Sequence, residues 1–511
     1  MARSDNRRWW ALGALVLSVL TLGLDVTILN VALPTIAADL SAGTGALQWI
    51  VNAYVLVFAG LMLPAGALGD RYGRKRLLLI GMAVFGLASL IAAWSSSAAV
   101  VIAVRAVMGL GAAIIMPIVL AMLTVLFTER ERGRAISFVV IGIGAGLPLG
   151  PIVGGYLLEH FWWGSIFLIN VPVVATAMAA IAVLLPESRD PHPAAADLPG
   201  GVLSTLGLVS FVYGVIEAPG RGWDHPLVLA ALAAAVVLLT VFVWWELRTP
   251  QPMIDLRLFG RAQFAWGTAG ATLASFALFG LLFTLPQYLQ FVAGLDAFGT
   301  GVRLLPLIAG IIVGAPVAEK LAARAGYRLP VALGLLLAGV GLAAGATTGA
   351  GSGYPFVAAW LTVAGLGAGL SLAPAMDAVL AALPPQRSGS GTAITMALRQ
   401  VAGALGVAPL GSLLAAGYTS KLDTAGLPDP IADTARDSVA GALAVAARTG
   451  DPALAASAHA AFVHGMALAL AAAAAVALIG SALTAAFLPG RPHRDIEPHP
   501  TPNPHASTPT A

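Results

Sequence analysis

Apolar residues in this chain come in unbroken runs rather than in period-two alternation or one-sided helical stripes. Each run is about 20 residues long, enough for a helix rising 1.5 Å per residue to cross a hydrocarbon core of about 30 Å. Six fall in the first third, at Trp9–Val31, Gln48–Leu68, Leu77–Trp94, Ala98–Leu120, Ala135–Leu158 and Ile166–Leu185. A polar, proline-bearing break at Pro186–Gly200 precedes two more, Gly201–Ile216 and Leu227–Trp245. Six others follow at Phe264–Leu285, Gly301–Val317, Pro330–Gly349, Phe356–Leu380, Thr392–Gly417 and Phe462–Leu488. The pattern predicts an all-α polytopic membrane protein of 14 helices. Its parts are a six-helix bundle (1–186), two inserted helices (187–262), a second six-helix bundle (263–488) and a Pro-rich disordered cytoplasmic tail (489–511). The Ala- and Asp-rich stretch 418–461 is expected outside, partly as an amphipathic helix. The basic residues before Trp9 resemble a signal peptide, but the run behind them is long enough to span, carries Asp25 and lacks a small-x-small cleavage site, so it is read as helix one.

Composition agrees: 59% of residues are hydrophobic and 10% charged, and the mean hydropathy is +0.88. The net charge of +3 resolves into an orientation signal. With both termini in the cytoplasm, 20 of the 27 Lys and Arg residues fall inside, including Arg71, Arg74, Arg130, Arg132, Arg134, Lys320 and Arg387, and five outside. The absence of cysteine excludes disulfides, thiolate catalysis and Cys-ligated zinc. None of the eight histidines lies in a predicted span and no P-loop is present, so neither a metal, another cofactor nor ATP is expected.

The loops repeat. GALGDRYGRKR (Gly66–Arg76) has a degraded counterpart in GAPVAEKLAARAGYR (Gly314–Arg328), and TERERGRA (Thr128–Ala135) one in PPQRSGSGTA (Pro384–Ala393). Two similar halves around a midplane site are the plan of one large class of secondary transporter. The first loop resembles the cytoplasmic motif of the major facilitator superfamily, with Gly66, Asp70, Arg71, Gly73 and Arg74 at the motif positions. LDVTILNVALP (Leu24–Pro34), QWIVNAYVL (Gln48–Leu56), RAVMGLGAA (Arg105–Ala113), GAGLPLGPIVGGYL (Gly144–Leu157), FLINVP (Phe167–Pro172) and LRQVAGALGVAPLG (Leu398–Gly411) are similar to segments of its fourteen-helix drug:proton antiporter branch. Two departures stand out: Gly164 where the resemblance leads one to expect an arginine, and a second-half loop offering Glu319 in place of the motif aspartate.

Charge inside the spans is rare, which marks candidate chemistry. Asp25 lies about 24 Å along helix one and Arg105 about 10 Å below the outer surface on helix four, depths that match within about a turn. Burial favours a neutral carboxyl and a nearby guanidinium favours the carboxylate, so a changing distance between the two would switch a proton. The alternative is a purely structural ion pair. Arg399 lies mid-span, either facing the cavity or neutralised by carbonyls, with a structural role equally open; its nearest candidate acid is Asp377 near the inner end of helix twelve, itself a candidate cavity residue or simply an interfacial acid near a helix end. Gly142, Gly146, Gly150 and Gly154 share one stripe of helix five, bent by Pro148 and Pro151, and are expected to form a tight contact between the halves or ordinary small-residue packing. Asp70 is expected against the helix beginning near Ser388–Gly391, with Arg71 and Arg74 holding a cytoplasmic gate or merely setting topology. Asn30, Asn52, Tyr54 and Gln287 are candidates to line a cavity. The expectation is a monomeric, multi-pass transporter of the cytoplasmic membrane, not an enzyme and with no nucleic-acid partner. It would export hydrophobic or cationic small molecules, drugs and antibiotics among them, in exchange for protons. An uptake symporter or facilitator, or a scaffold or receptor without transport, are the alternatives.

Overall fold

The structure is a computed structural model that describes residues 2–189, 197–250, 252, 256–382, 388–425 and 427–490; side chains at 2–6, 63, 124, scattered positions of 129–148 and 388–394 are outside that description. The tail assigned to 489–511 falls beyond the described residues from 491 onward. The first bundle contains α1 (Ala2–Leu40), α2 (Thr44–Tyr72), α3 (Arg74–Ala93), α4 (Ala98–Leu126), α5 (Glu129–His160), α6 (Ser165–Leu168) and α7 (Asn170–Leu184). The inserted pair is α8 (Leu198–Arg221) and α9 (Pro226–Arg248). The second bundle contains α10 (Ala262–Gln287), α11 (Ala297–Arg303), α12 (Leu305–Ala325), α13 (Arg328–Gly345), α14 (Tyr354–Ala381), α15 (Ser388–Lys421) and α18 (Pro452–Phe487), with α16 (Asp429–Asp437) and α17 (Val439–Thr449) in the outer loop.

Among the described residues 13 helical segments are long and apolar enough to cross a membrane, α6 with α7 and α11 with α12 each counting as one. α5 takes the fourteenth place: its 32 residues extend about 48 Å and pack along α1. The helices overrun the apolar windows, as α1 does by starting at Ala2, because a helix keeps its own hydrogen bonds beyond the lipid.

Contacts between the bundles close the outer side. Gly301 of α11 sits against Pro151 of α5, and Gly155 against Phe298. Gln290 donates to the Val31 carbonyl (2.8 Å), Gln48 of α2 to the Ala408 carbonyl of α15 (3.3 Å), and Thr44 to the Asp437 carbonyl of α16 (3.3 Å). α8 lies beside this seam and touches both bundles. Thr205 packs on Gly60 of α2, and Ser412 of α15 donates to the Val215 carbonyl at 2.8 Å. Pro219, four residues after Val215, has no N–H to give that carbonyl, so the serine supplies the missing donor. α9 faces outward with only 17% of its window buried, as a lipid-facing helix should.

Candidate functional site

Asp25 and Arg105 meet directly. Arg105 Nη1 donates to Asp25 Oδ2 at 2.5 Å, and the two side chains are 2% and 1% exposed. Asn170, the first residue of α7, donates to Asp25 Oδ1 (3.2 Å) and contacts Ser89 of α3 (3.4 Å). Arg105 Nε donates to the Ile50 carbonyl (3.2 Å), and its guanidinium lies 4.3 Å from the centre of the Tyr54 ring. Five helices thus converge on one ion pair, and the aromatic face and carbonyl supply what a buried cation otherwise lacks.

The pair points into its own bundle. Thr27 and Asn30 line a small pocket with Pro151 of α5, Leu278 and Leu282 of α10, and Leu307 of α12. Asp25 precedes Thr27 by two residues, about 200° around the helix, and so lies on the opposite face of α1. The pocket holds about 20 Å³, room for one water. Of the expected cavity residues it takes Asn30, whose amide also donates to the Val26 carbonyl at 2.9 Å. Tyr54 is spent under Arg105, Gln287 donates to Phe283 of its own helix (2.9 Å), and Asn52 is wholly buried with both carboxamide atoms unpaired.

The glycine stripe of α5 packs within the first bundle, which corrects the expected contact between halves. A Cβ on Gly142 would press on Val16, on Gly146 on the Gly23 backbone, on Gly150 on Thr27, and on Gly154 on Ile28, all in α1. Thr27 bridges the seam by donating to the Gly146 carbonyl (2.7 Å). What α5 presents to the other half is Pro151 and Gly155.

In the α2–α3 loop, Gly73 adopts φ +115°, which favours glycine and turns the chain. Gly66 lies against Pro117 of α4. Arg74 binds Asp70 (2.7 Å), its amide donates to the Ser188 carbonyl (2.9 Å), and Glu187 accepts from the Lys75 amide (3.1 Å). The motif is therefore clasped to the segment after α7. Arg71 is exposed over Tyr72, and the side chains of Ser388–Gly391, the expected partners of Asp70, lie outside the described residues.

Arg399 donates to Ser275 of α10 (3.3 Å) and pairs with no carboxylate among the described residues. Asp377 does not meet it: the carboxyl is exposed at the cytoplasmic end of α14, within the field of Glu319 and Tyr327. Gly164 also has a structural reason, because a Cβ there would overlap the Ala93 carbonyl that accepts from Trp162 Nε1. Reading polar residues one at a time missed Asn170, Ser89, Thr27, Gln48 and Ser275. The signal for three of them was their place inside the quoted segments FLINVP, LDVTILNVALP and QWIVNAYVL.

A family model described as Major Facilitator Superfamily matches residues 15–407. The chain belongs to that superfamily. It is 34% identical over 490 residues to the tetracenomycin C resistance and export protein of Streptomyces glaucescens, covering 94% of this chain and 91% of that protein. It is 36% identical over 452 residues to the multidrug efflux pump LfrA of Mycolicibacterium smegmatis, covering 87% and 88%. Among solved structures, a bacterial homolog of the human lysosomal transporter Spinster, inward-facing and occupied, superposes with a TM-score of 0.65 at 18% identity. It covers 94% of this chain and 97% of that one, a likeness of fold. The superfamily member is a multi-pass transporter of small molecules in the cytoplasmic membrane.

Proposed function

We propose that this transporter exports hydrophobic or cationic small molecules, antibiotics among them, in exchange for inward-moving protons, with the Asp25–Arg105 pair as the proton-responsive element. The buried ion pair carries this reading. With the outer side closed, the carboxylate, the guanidinium and Asn170 tie α1, α4 and α7 together. A proton on Asp25 removes the charge that Arg105 answers and loosens that tie. α1 can then shift against α5 along a seam of glycine, where small residues leave little to interlock. Because Asp25 faces the bundle and not the pocket, the proton acts on helix arrangement rather than by direct competition with substrate. The test uses everted vesicles and ethidium. Accumulation that requires an imposed proton gradient and stops on adding an uncoupler supports export by antiport; accumulation without a gradient, or none at all, opposes it.

A further inference from the structure

We infer that Arg399 is a substrate-binding residue that admits apolar molecules carrying one acidic group, a carboxylate or phenolate. This rests on the export reading and adds acidic molecules to the hydrophobic and cationic ones named there. Ser275, Leu278 and Leu282 fall at i, i+3 and i+7 and share one face of α10. Leu278 and Leu282 look across the gap between the halves toward Thr27 and Asn30. Ser275 therefore faces the same gap about one turn closer to the cytoplasm, and Arg399 Nε donates to its hydroxyl (3.3 Å). On α15 the stripe Arg399, Gly403, Gly406 and Leu410 runs along α10, meeting Ser275, Phe279, Phe276 and Gly280. Ala408, where Gln48 seals the outer side, lies about 13 Å further out. The guanidinium thus stands mid-membrane on the cytoplasmic side of the closed gate, half-buried.

No carboxylate among the described residues answers its charge. Asp25 is held by Arg105 on the far face of α1, and Asp377 is at the cytoplasmic edge. The bond to Ser275 uses one of five N–H donors, and a planar fork of that kind matches the two oxygens of a carboxylate. A cation at this depth is costly without a counter-charge or water, and an acidic substrate supplies the counter-charge. The leucines above it accept the apolar part.

Binding decides the question without a gradient, so a failure of proton-driven transport leaves this test intact. The probes are 2-naphthylacetate and 2-(2-naphthyl)ethylammonium, one ring system with opposite charges, measured by equilibrium dialysis against the full chain in nanodiscs. The wild type binds the acetate more tightly than the ammonium compound. Arg399→Gln weakens acetate binding about tenfold or more and leaves the ammonium compound unchanged, while Arg399→Lys retains most of the preference. Ser275→Asp, which keeps Arg399 and neutralises it, produces the same selective loss and guards against misfolding of the first variant. A wild-type preference for the ammonium compound, equal losses for both probes, or unchanged acetate binding in Arg399→Gln and Ser275→Asp overturns the inference.

Discussion

Removing either member of the Asp25–Arg105 pair leaves a charge that is at most 2% exposed without its partner. Two unit charges about 4 Å apart attract by about 4 kcal/mol at an effective dielectric near 20. Breaking a buried pair from one side typically costs about 3–5 kcal/mol, whereas replacing both members with neutral groups costs little. Asp25→Asn and Arg105→Gln should each destabilise by about that amount, and the double variant by about 2 kcal/mol or less. The resulting coupling energy is about 4 kcal/mol or more. The two singles differ in one respect. A buried carboxylate without a counter-ion can take a proton, so acidification relieves Arg105→Gln, while the guanidinium stranded by Asp25→Asn gains no such relief. Reversible unfolding in mixed micelles, run across pH for all four proteins, supplies the cycle. Coupling below about 0.5 kcal/mol, the level of independent sites, would refute the claim that the pair is a single energetic unit.

Gly146→Val places side-chain atoms in the backbone of Gly23, and overpacking of this kind costs about 1–3 kcal/mol; thermal unfolding should show the loss, and transport should fall with it. Because the chain has no cysteine, Thr44→Cys with Asp437→Cys, whose parent residues meet at 3.3 Å, gives an unambiguous cross-link across the outer seam. Oxidation should halt transport and reduction restore it; transport that continues through a completed cross-link contradicts an alternating outer gate. Partial desolvation where it lies against Gly43 holds the Asp437 carboxyl above its ordinary range. The folded loop then binds the proton more tightly than the unfolded one, so loop stability is greatest in acid and declines as pH rises through the raised folded value. Limited proteolysis of the loop should quicken across that window, and Asp437→Asn should remove the dependence.

The bundle architecture was legible because bilayer thickness sets the length of every apolar run, and the repeat of loop motifs showed the halves. The partnership of Asp25 with Arg105 was legible from helical rise alone, since two intramembrane charges at one depth have few other options. Facing was not. The stripe at Gly142, Gly146, Gly150 and Gly154 announces close approach, but one helix pattern does not name its partner, and α1 rather than the opposite half fills it. Asp377 was the nearest candidate acid for Arg399 and, as the alternative, an interfacial acid near a helix end; the structure has it at that end, exposed. Ser275 and Asn170 escaped notice because a lone serine or asparagine in a span is usually an ordinary interhelical hydrogen bond.

Proton coupling through Asp25 is tested most directly by comparing two modes of transport in the same Asp25→Asn proteoliposomes. Substrate counterflow needs binding and alternation but no proton movement; gradient-driven accumulation needs all three. Asp25→Asn should retain ethidium counterflow and lose accumulation driven by an imposed pH gradient. Gradient-driven accumulation at the wild-type level in Asp25→Asn would contradict it.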